Sequence, residues 1–130
     1  MAESWETRKA RSLVKKGAKL LDKEKPNWYK RWRLSLSSLN MESCNTCVLG
    51  QNYAADFRRA CQKGEADSYL GSPYELAEGM LGVEGSQFGF DSFYDPKAGQ
   101  WVEYDALQHQ WELEIQRRRK ADKEKKVKVA

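Results

Sequence analysis

Apolar residues near the two ends of this chain recur at the spacing of an α-helix. After Leu107, the apolar positions Trp111 and Ile115 follow at steps of four residues. Near the N-terminus the steps are three or four residues, at Ala10, Leu13, Val14, Gly17, Ala18 and Leu21. Because a helix turns once in about 3.6 residues, each set lies on one face that another element must cover. The sequence therefore predicts a mainly α fold in which Leu21, Trp28 and Trp111 share one core.

Local signals limit these helices and predict two more between them. Ser4 is suited to cap the first helix, and Pro26 ends it because proline lacks the N–H that a helix interior needs. An apolar stripe within residues 45–62 predicts a second helix. A third should begin at Ser72–Glu75, which combines a capping serine, a first-turn proline and a glutamate three residues after the serine. Asp105 is predicted to open the last helix.

The segment before the last helix has a different character. A turn signal at Asp95–Gly99 is flanked by Phe88–Tyr94 and Gln100–Tyr104, so we expect a small hairpin or an ordered loop there. Its aromatic side chains are predicted to fill the core, with a protein-binding loop as the alternative. These aromatic residues are Phe88, Phe90, Phe93 and Tyr94.

The C-terminal residues have few apolar groups with which to fold. Residues 121–130 contain only Val127, Val129 and two alanines as apolar residues. These groups cannot offset the backbone entropy of about 1–2 kcal/mol for each ordered residue. We therefore predict a single helical domain at residues 1–120, with about four helices and a small hairpin or ordered loop. A flexible, disordered basic tail should follow at residues 121–130.

Charge is unevenly distributed along the chain, whose net charge is +4. Residues 1–33 hold 11 Lys/Arg and 4 Asp/Glu, residues 34–116 hold 4 and 13, and residues 117–130 hold 8 and 2. Two interpretations stay open. The basic ends can fold over the acidic middle, or one basic end can bind an anionic partner.

Two basic segments are candidates for binding nucleic acid. From Trp28 to Arg33, rings alternate with cations, an arrangement suited to base stacking and phosphate contacts. The candidate contacts in both segments are Lys30, Arg31, Arg33, Arg117, Arg118, Arg119 and Lys120. The favoured interpretation of the first segment is that Trp28 and Trp32 fill the core. For the second segment, the alternative to nucleic-acid binding is that these cations complement the dipole at the C-terminus of the last helix.

The three cysteines and the single histidine, His109, are the candidate metal ligands. Cys44 and Cys47 have a spacing that suits zinc binding, a redox pair or simple packing. Cys61 would lie about 21 Å from Cys47 along a continuous helix, so the three thiols should not share one ion. We predict no metal site and no cofactor and favour packed thiols. A thiol-based redox or metal site at Cys44 and Cys47 is the alternative.

Catalytic and membrane signatures are missing from the sequence. It contains no Gly-x-Ser-x-Gly, phosphate-binding loop, Gly-x-Gly-x-x-Gly or His-Glu-x-x-His pattern, so we do not predict an enzyme. No stretch reaches the roughly 20 apolar residues that would span a bilayer. Met1–Lys16 is charged and has no apolar core, so we expect neither a secretory signal nor a membrane partner.

A series of short motifs covers roughly residues 17–118. They are Leu20-Leu21-Asp22, Pro26-x-Trp28, Leu39-x-Met41, Cys44-x-x-Cys47-Val48-Leu49-Gly50-Gln51-x-Tyr53, Gly89-Phe90-Asp91 and Tyr104-x-x-Leu107-x-x-x-Trp111-x-x-x-Ile115. In this order they resemble a family of short, uncharacterised actinobacteriophage proteins, and the Cys-Val-Leu-Gly-Gln run is the most specific piece. Many members have glycine where this chain has Ala54, and Cys61 lies outside the pattern.

The resemblance implies a phage-encoded protein that acts in the cytoplasm of a bacterial host, and it implies no particular activity. We therefore predict a non-enzymatic phage accessory protein that binds a host or phage macromolecule, with a protein partner favoured. One alternative is a nucleic-acid-binding module that uses the basic N- and C-terminal segments. The other is the thiol-based site at Cys44 and Cys47.

Overall fold

The computed structural model describes residues 3–30, 36–37, 39–41, 47–49, 51–52 and 81–129. In chain order its elements are α1 (Trp5–Glu24), a 3₁₀ helix (Gly85–Phe88), β1 (Phe93–Asp95), β2 (Gln100–Val102) and α2 (Tyr104–Val129). The prediction of a mainly helical fold with a small hairpin is confirmed. The predicted helices at residues 45–62 and from Ser72 fall largely outside the described residues, so the count of four helices stays a prediction.

The sequence signals for α1 act as expected. The Ser4 hydroxyl accepts a hydrogen bond from the backbone N–H of Thr7 at 3.1 Å, which caps the helix at its N-terminus. The helix ends at Glu24, two residues before Pro26, and the next turn includes Asn27 at a positive φ of 65°. Asparagine tolerates this left-handed conformation better than most residues. The whole predicted stripe from Ala10 to Leu21 is buried.

α2 covers the apolar face of α1. Its stripe of Leu107, Trp111 and Ile115 has no solvent exposure. Gly17 of α1 lies against the carbonyl of Phe88 and the ring of Trp111, where a side chain would have no room. The two helices therefore approach each other at a position that only glycine fits.

Three aromatic rings join these helices to the rest of the core. Trp28 and Trp111 meet edge to face with ring centroids 5.6 Å apart, and Phe90 stacks on Trp111 at 5.4 Å. The indole N–H of Trp111 donates to the carbonyl of Gly89 at 2.7 Å. Leu21, Trp28 and Trp111 are all fully buried in one cluster, so the predicted shared core is confirmed.

The hairpin is shorter than the flanking segments that the sequence indicated. Phe93 pairs with Val102, Tyr94 with Trp101, and Asp95 with Gln100, in antiparallel register. An Asp95 carboxylate oxygen accepts from the N–H of Lys97 at 2.9 Å, and Gly99 takes a positive φ of 63°. These two features close the turn at the position that the Asp-Pro-Lys-Ala-Gly signal predicted.

The disordered tail predicted at residues 121–130 is not confirmed, because α2 continues to Val129. The reason is a tertiary contact that the composition does not show. The Tyr29 hydroxyl donates to Asp122 at 2.7 Å, and the Lys30 ammonium lies 3.2 Å from the same carboxylate. The turn of α2 beyond Lys120 is therefore held against the turn that follows α1.

The Tyr29–Asp122 contact predicts a loss of stability at alkaline pH. Burial, and then the hydrogen bond to Asp122, raise the pKa of Tyr29 from 10.0 to about 12. The folded protein thus favours the protonated phenol, so this stabilisation is complete below about pH 10 and is lost as the pH rises to about 12. Urea melts across this interval should show a smaller fall for Tyr29→Phe than for the parent. Equal falls would show that another group titrates.

Candidate functional site

The described member of the predicted thiol pair is fully buried. Cys47 has no solvent exposure and belongs to the core cluster with Val48 and Leu49. Cys44 and Cys61 lie outside the described residues. Among the described residues, no group of three or more His, Cys, Asp or Glu side chains could hold a metal ion. At Cys47 itself, the burial agrees with the packing interpretation, since a covered thiol cannot meet a substrate.

Trp28 cannot serve as a platform for base stacking, because its ring is inside the core. It has no exposure, and its indole N–H donates to Asp22 at 3.0 Å. The core interpretation is therefore confirmed for Trp28. Lys30 remains exposed beside Asp122, while Trp32, Arg31 and Arg33 lie outside the described residues.

Two of the four predicted basic contacts on α2 are used within the fold. Arg118 lies 2.6 Å from Asp22, and its guanidinium is 5.6 Å from the Trp28 and Tyr29 ring centroids. Arg119 Nε donates to the backbone carbonyl of Tyr29 at 2.9 Å. These side chains join α2 to the end of α1 and the turn after it. Their partners, Asp22 and the carbonyl of Tyr29, lie in the basic N-terminal segment, so the folding of the basic ends over the acidic middle stays a prediction.

The other two basic residues of that run point outward. The Arg117 side chain is 62% exposed and forms an ion pair with Glu114, which is almost fully buried. Lys120 is also exposed. Within the run Arg117–Lys120, Arg118 and Arg119 thus face the fold, whereas Arg117 and Lys120 face solvent.

A larger group of cations lies on α1, on the side away from its apolar stripe. We define the cationic face as the residues that line a shallow depression of about 360 Å³: Arg8, Arg11, Ser12, Lys15, Lys16 and Lys19. Arg8, Arg11, Lys15 and Lys19 follow at steps of three or four residues, so they form one line about 16 Å long. Their spacing is present in the sequence, but none of these residues is among the predicted nucleic-acid contacts.

Few acidic groups neutralise the cationic face. Arg11 forms an ion pair with Glu3, and Arg8 donates to the backbone carbonyl of Glu3 at 2.8 Å. Lys15, Lys16 and Lys19 form no ion pair with any residue that the structure describes. The three lysines of the face therefore present to solvent a positive potential that no described ion pair compensates.

A groove between α1 and α2 adjoins this face. It has a volume of about 260 Å³ and is lined by Arg11, Val14, Lys15, Gln110, Leu113, Glu114 and Arg117. Leu113, one of these lining residues, is 45% exposed. Arg117 therefore lies beside the cationic face, with its charge paired to Glu114 in the same groove.

The outward face of the hairpin carries a pair of exposed aromatic rings. Tyr94 and Trp101 are cross-strand neighbours whose ring centroids lie 5.1 Å apart, and they are 47% and 53% exposed. The prediction that the aromatic residues of this segment fill the core holds for Phe90 and is wrong for Tyr94. Because side chains alternate along a strand, Phe93 faces inward and Tyr94 must face outward.

Comparison with known proteins adds no relative. No protein-family model, curated protein or solved structure matches this chain. None of the helices among the described residues has the length and apolarity needed to cross a membrane.

Proposed function

We propose that this protein is a non-enzymatic binding protein that holds a nucleic acid by its phosphates on the cationic face of α1. The observation that carries the proposal is the single line of Arg8, Arg11, Lys15 and Lys19, with Lys16 beside it. The phosphate backbone supplies most of the affinity of sequence-independent nucleic-acid binding, and lysine and arginine neutralise it.

The arrangement of α1 suits an extended polyanion. The opposite side of the helix is buried in the core, so the cations are held on a rigid support. Duplex DNA carries about one negative charge per 1.7 Å of its axis, and a line about 16 Å long therefore reaches several phosphates. Arg117 of α2 lies in the adjoining groove, where it is paired with Glu114.

The other parts of the proposal rest on the sequence. The non-enzymatic role rests on the missing catalytic motifs. The motif series over residues 17–118 supports a role as a phage accessory protein in the cytoplasm of a bacterial host. A protein partner, which the sequence favours, is the second candidate, and the exposed Tyr94–Trp101 pair is the observation that favours it.

A salt series with matched variants tests the nucleic-acid proposal. Anisotropy of a labelled DNA duplex gives the affinity at each salt concentration. In Lys15→Gln/Lys19→Gln, each lost phosphate contact should reduce the slope of log affinity against log salt by about 0.9, or about 2 for the pair. The affinity at moderate salt should fall accordingly.

The control variant, Lys97→Gln/Lys123→Gln, removes the same charge from exposed positions away from the cationic face. It should keep the parent slope. An equal change in both variants, or no binding of the parent at low salt, would overturn the proposal. Equal affinity for poly-glutamate would assign the face to an acidic protein instead.

A further inference from the structure

We infer that the outward face of the hairpin is a second binding site, which takes a basic peptide segment of a partner protein. Tyr94 and Trp101 are the largest exposed rings among the described residues, whereas Trp28 and Trp111 are fully buried. Exposed tryptophan and tyrosine that pack on each other are typical of protein-binding surfaces, where they bury a large area with few rotatable bonds.

The groove beside this pair has an acidic lining. It is lined by Ser4, Trp5, Glu6, Gly99, Gln100, Trp101 and Glu103, with no lysine or arginine among them. A carboxylate oxygen of Glu6 accepts from the backbone N–H of Glu103 at 3.0 Å, which fixes Glu6 at the groove. Glu103 is exposed and forms no ion pair with the residues that the structure describes.

The segment of chain around the groove also has a net negative charge. Residues 84–105 carry five carboxylates and one lysine, Lys97, in the turn. These carboxylates would repel an anionic ligand, and a purely apolar ligand would leave their charge uncompensated. The groove therefore favours a cationic ligand. This groove shares no lining residue with the cationic face of α1, and the inference holds whether or not that face binds nucleic acid.

On the inner face of the hairpin, an aromatic ring already makes a cation–π contact. The Lys9 ammonium lies 5.2 Å from the centroid of the Phe93 ring. On the outer face, no lysine or arginine of the described residues lies over Tyr94 or Trp101. Since tryptophan is the best ring for such contacts, a lysine or arginine of the partner would lie over Trp101, near the Glu103 carboxylate.

Titration of defined peptides tests this inference. The probe is a labelled peptide of alternating lysine and glycine, and the comparison is a glutamate–glycine peptide of the same length. Trp101→Ala should weaken binding of the basic peptide by about five- to thirtyfold, as expected for the loss of a partly desolvated cation–π contact. Glu103→Gln should weaken it less and reduce its salt dependence.

Matched variants separate this site from general attraction to an acidic chain. Leu113→Ala removes an equally exposed apolar side chain from α2, and Glu24→Gln removes an exposed carboxylate from the end of α1. Both should bind the basic peptide as the parent does. Equal weakening by Trp101→Ala and Leu113→Ala, equal affinity for the acidic peptide, or no binding of the basic peptide would overturn the inference. So would binding of single-stranded DNA that is lost in Trp101→Ala, because the rings would then stack on bases.

Discussion

Replacement of Trp111 by alanine should lower the free energy of unfolding by about 3–5 kcal/mol. Trp111 is fully buried and contacts Trp28 and Phe90, so its removal leaves a cavity between α1 and α2. It also removes the donor that now satisfies the carbonyl of Gly89. The loss is a large part of the roughly 5–15 kcal/mol that stabilises a typical domain, and urea denaturation monitored by circular dichroism will measure it.

Trp101→Ala is the matched control, because it makes the same substitution at a ring that is 53% exposed. Its stability should stay within about 0.5 kcal/mol of the parent. If Trp111→Ala melts within a few degrees of the parent, α2 does not pack on α1 as the structure places it.

The second large effect is expected at Gly17, where an alanine should destabilise the protein by about 1–3 kcal/mol. Helix propensity alone predicts the opposite sign, since alanine is favoured over glycine by about 1 kcal/mol within a helix. A Cβ at this position would overlap the carbonyl oxygen of Phe88 and lie 3.0 Å from the ring of Trp111. The backbone carbonyl cannot rotate away as a flexible side chain would, so α2 and the Phe88–Gly89 segment must shift.

Ser12→Ala provides the comparison for Gly17→Ala on the same helix. Ser12 is exposed, so only the helix propensity changes, and this variant should be unchanged or slightly more stable in thermal melts. A gain of stability in both variants would show that α1 and the segment at Phe88 are further apart than described.

Periodicity predicted the core residues of both helices because the spacing of apolar residues along a helix is a local property of the sequence. The positions from Ala10 to Leu21 and from Leu107 to Ile115 were identifiable from spacing alone, and so was the turn at Asp95–Gly99. Trp28 was assigned to the core because a small domain needs its large rings for burial. The helix stripes and the turn needed only a residue and its neighbours, whereas the prediction for Trp28 used the size of the domain.

The errors concern contacts between distant segments. The composition of residues 121–130 predicts disorder. Composition alone does not show that Asp122 accepts a hydrogen bond from Tyr29, which lies 93 positions earlier. The run Arg117–Lys120 looked like one basic patch, but each residue advances about 100° around a helix, and the packing of α2 decides which cations face inward. The cationic face of α1 and the outward position of Tyr94, in contrast, follow from helix and strand periodicities and were predictable.

The contact between the turn after α1 and the distal part of α2 has a consequence for synthesis of the protein. A ribosome releases α1 early, but α2, which packs on much of its apolar stripe, begins only at Tyr104. Because translation adds about 5–20 residues per second, α1 emerges several seconds before α2 can pack on it. The hydrogen bond of Tyr29 forms later still, because its partner Asp122 follows it by 93 residues. The contact between α1 and α2 can therefore form only after α2 has emerged, and until then the apolar stripe of α1 lacks the packing of Leu107, Trp111 and Ile115.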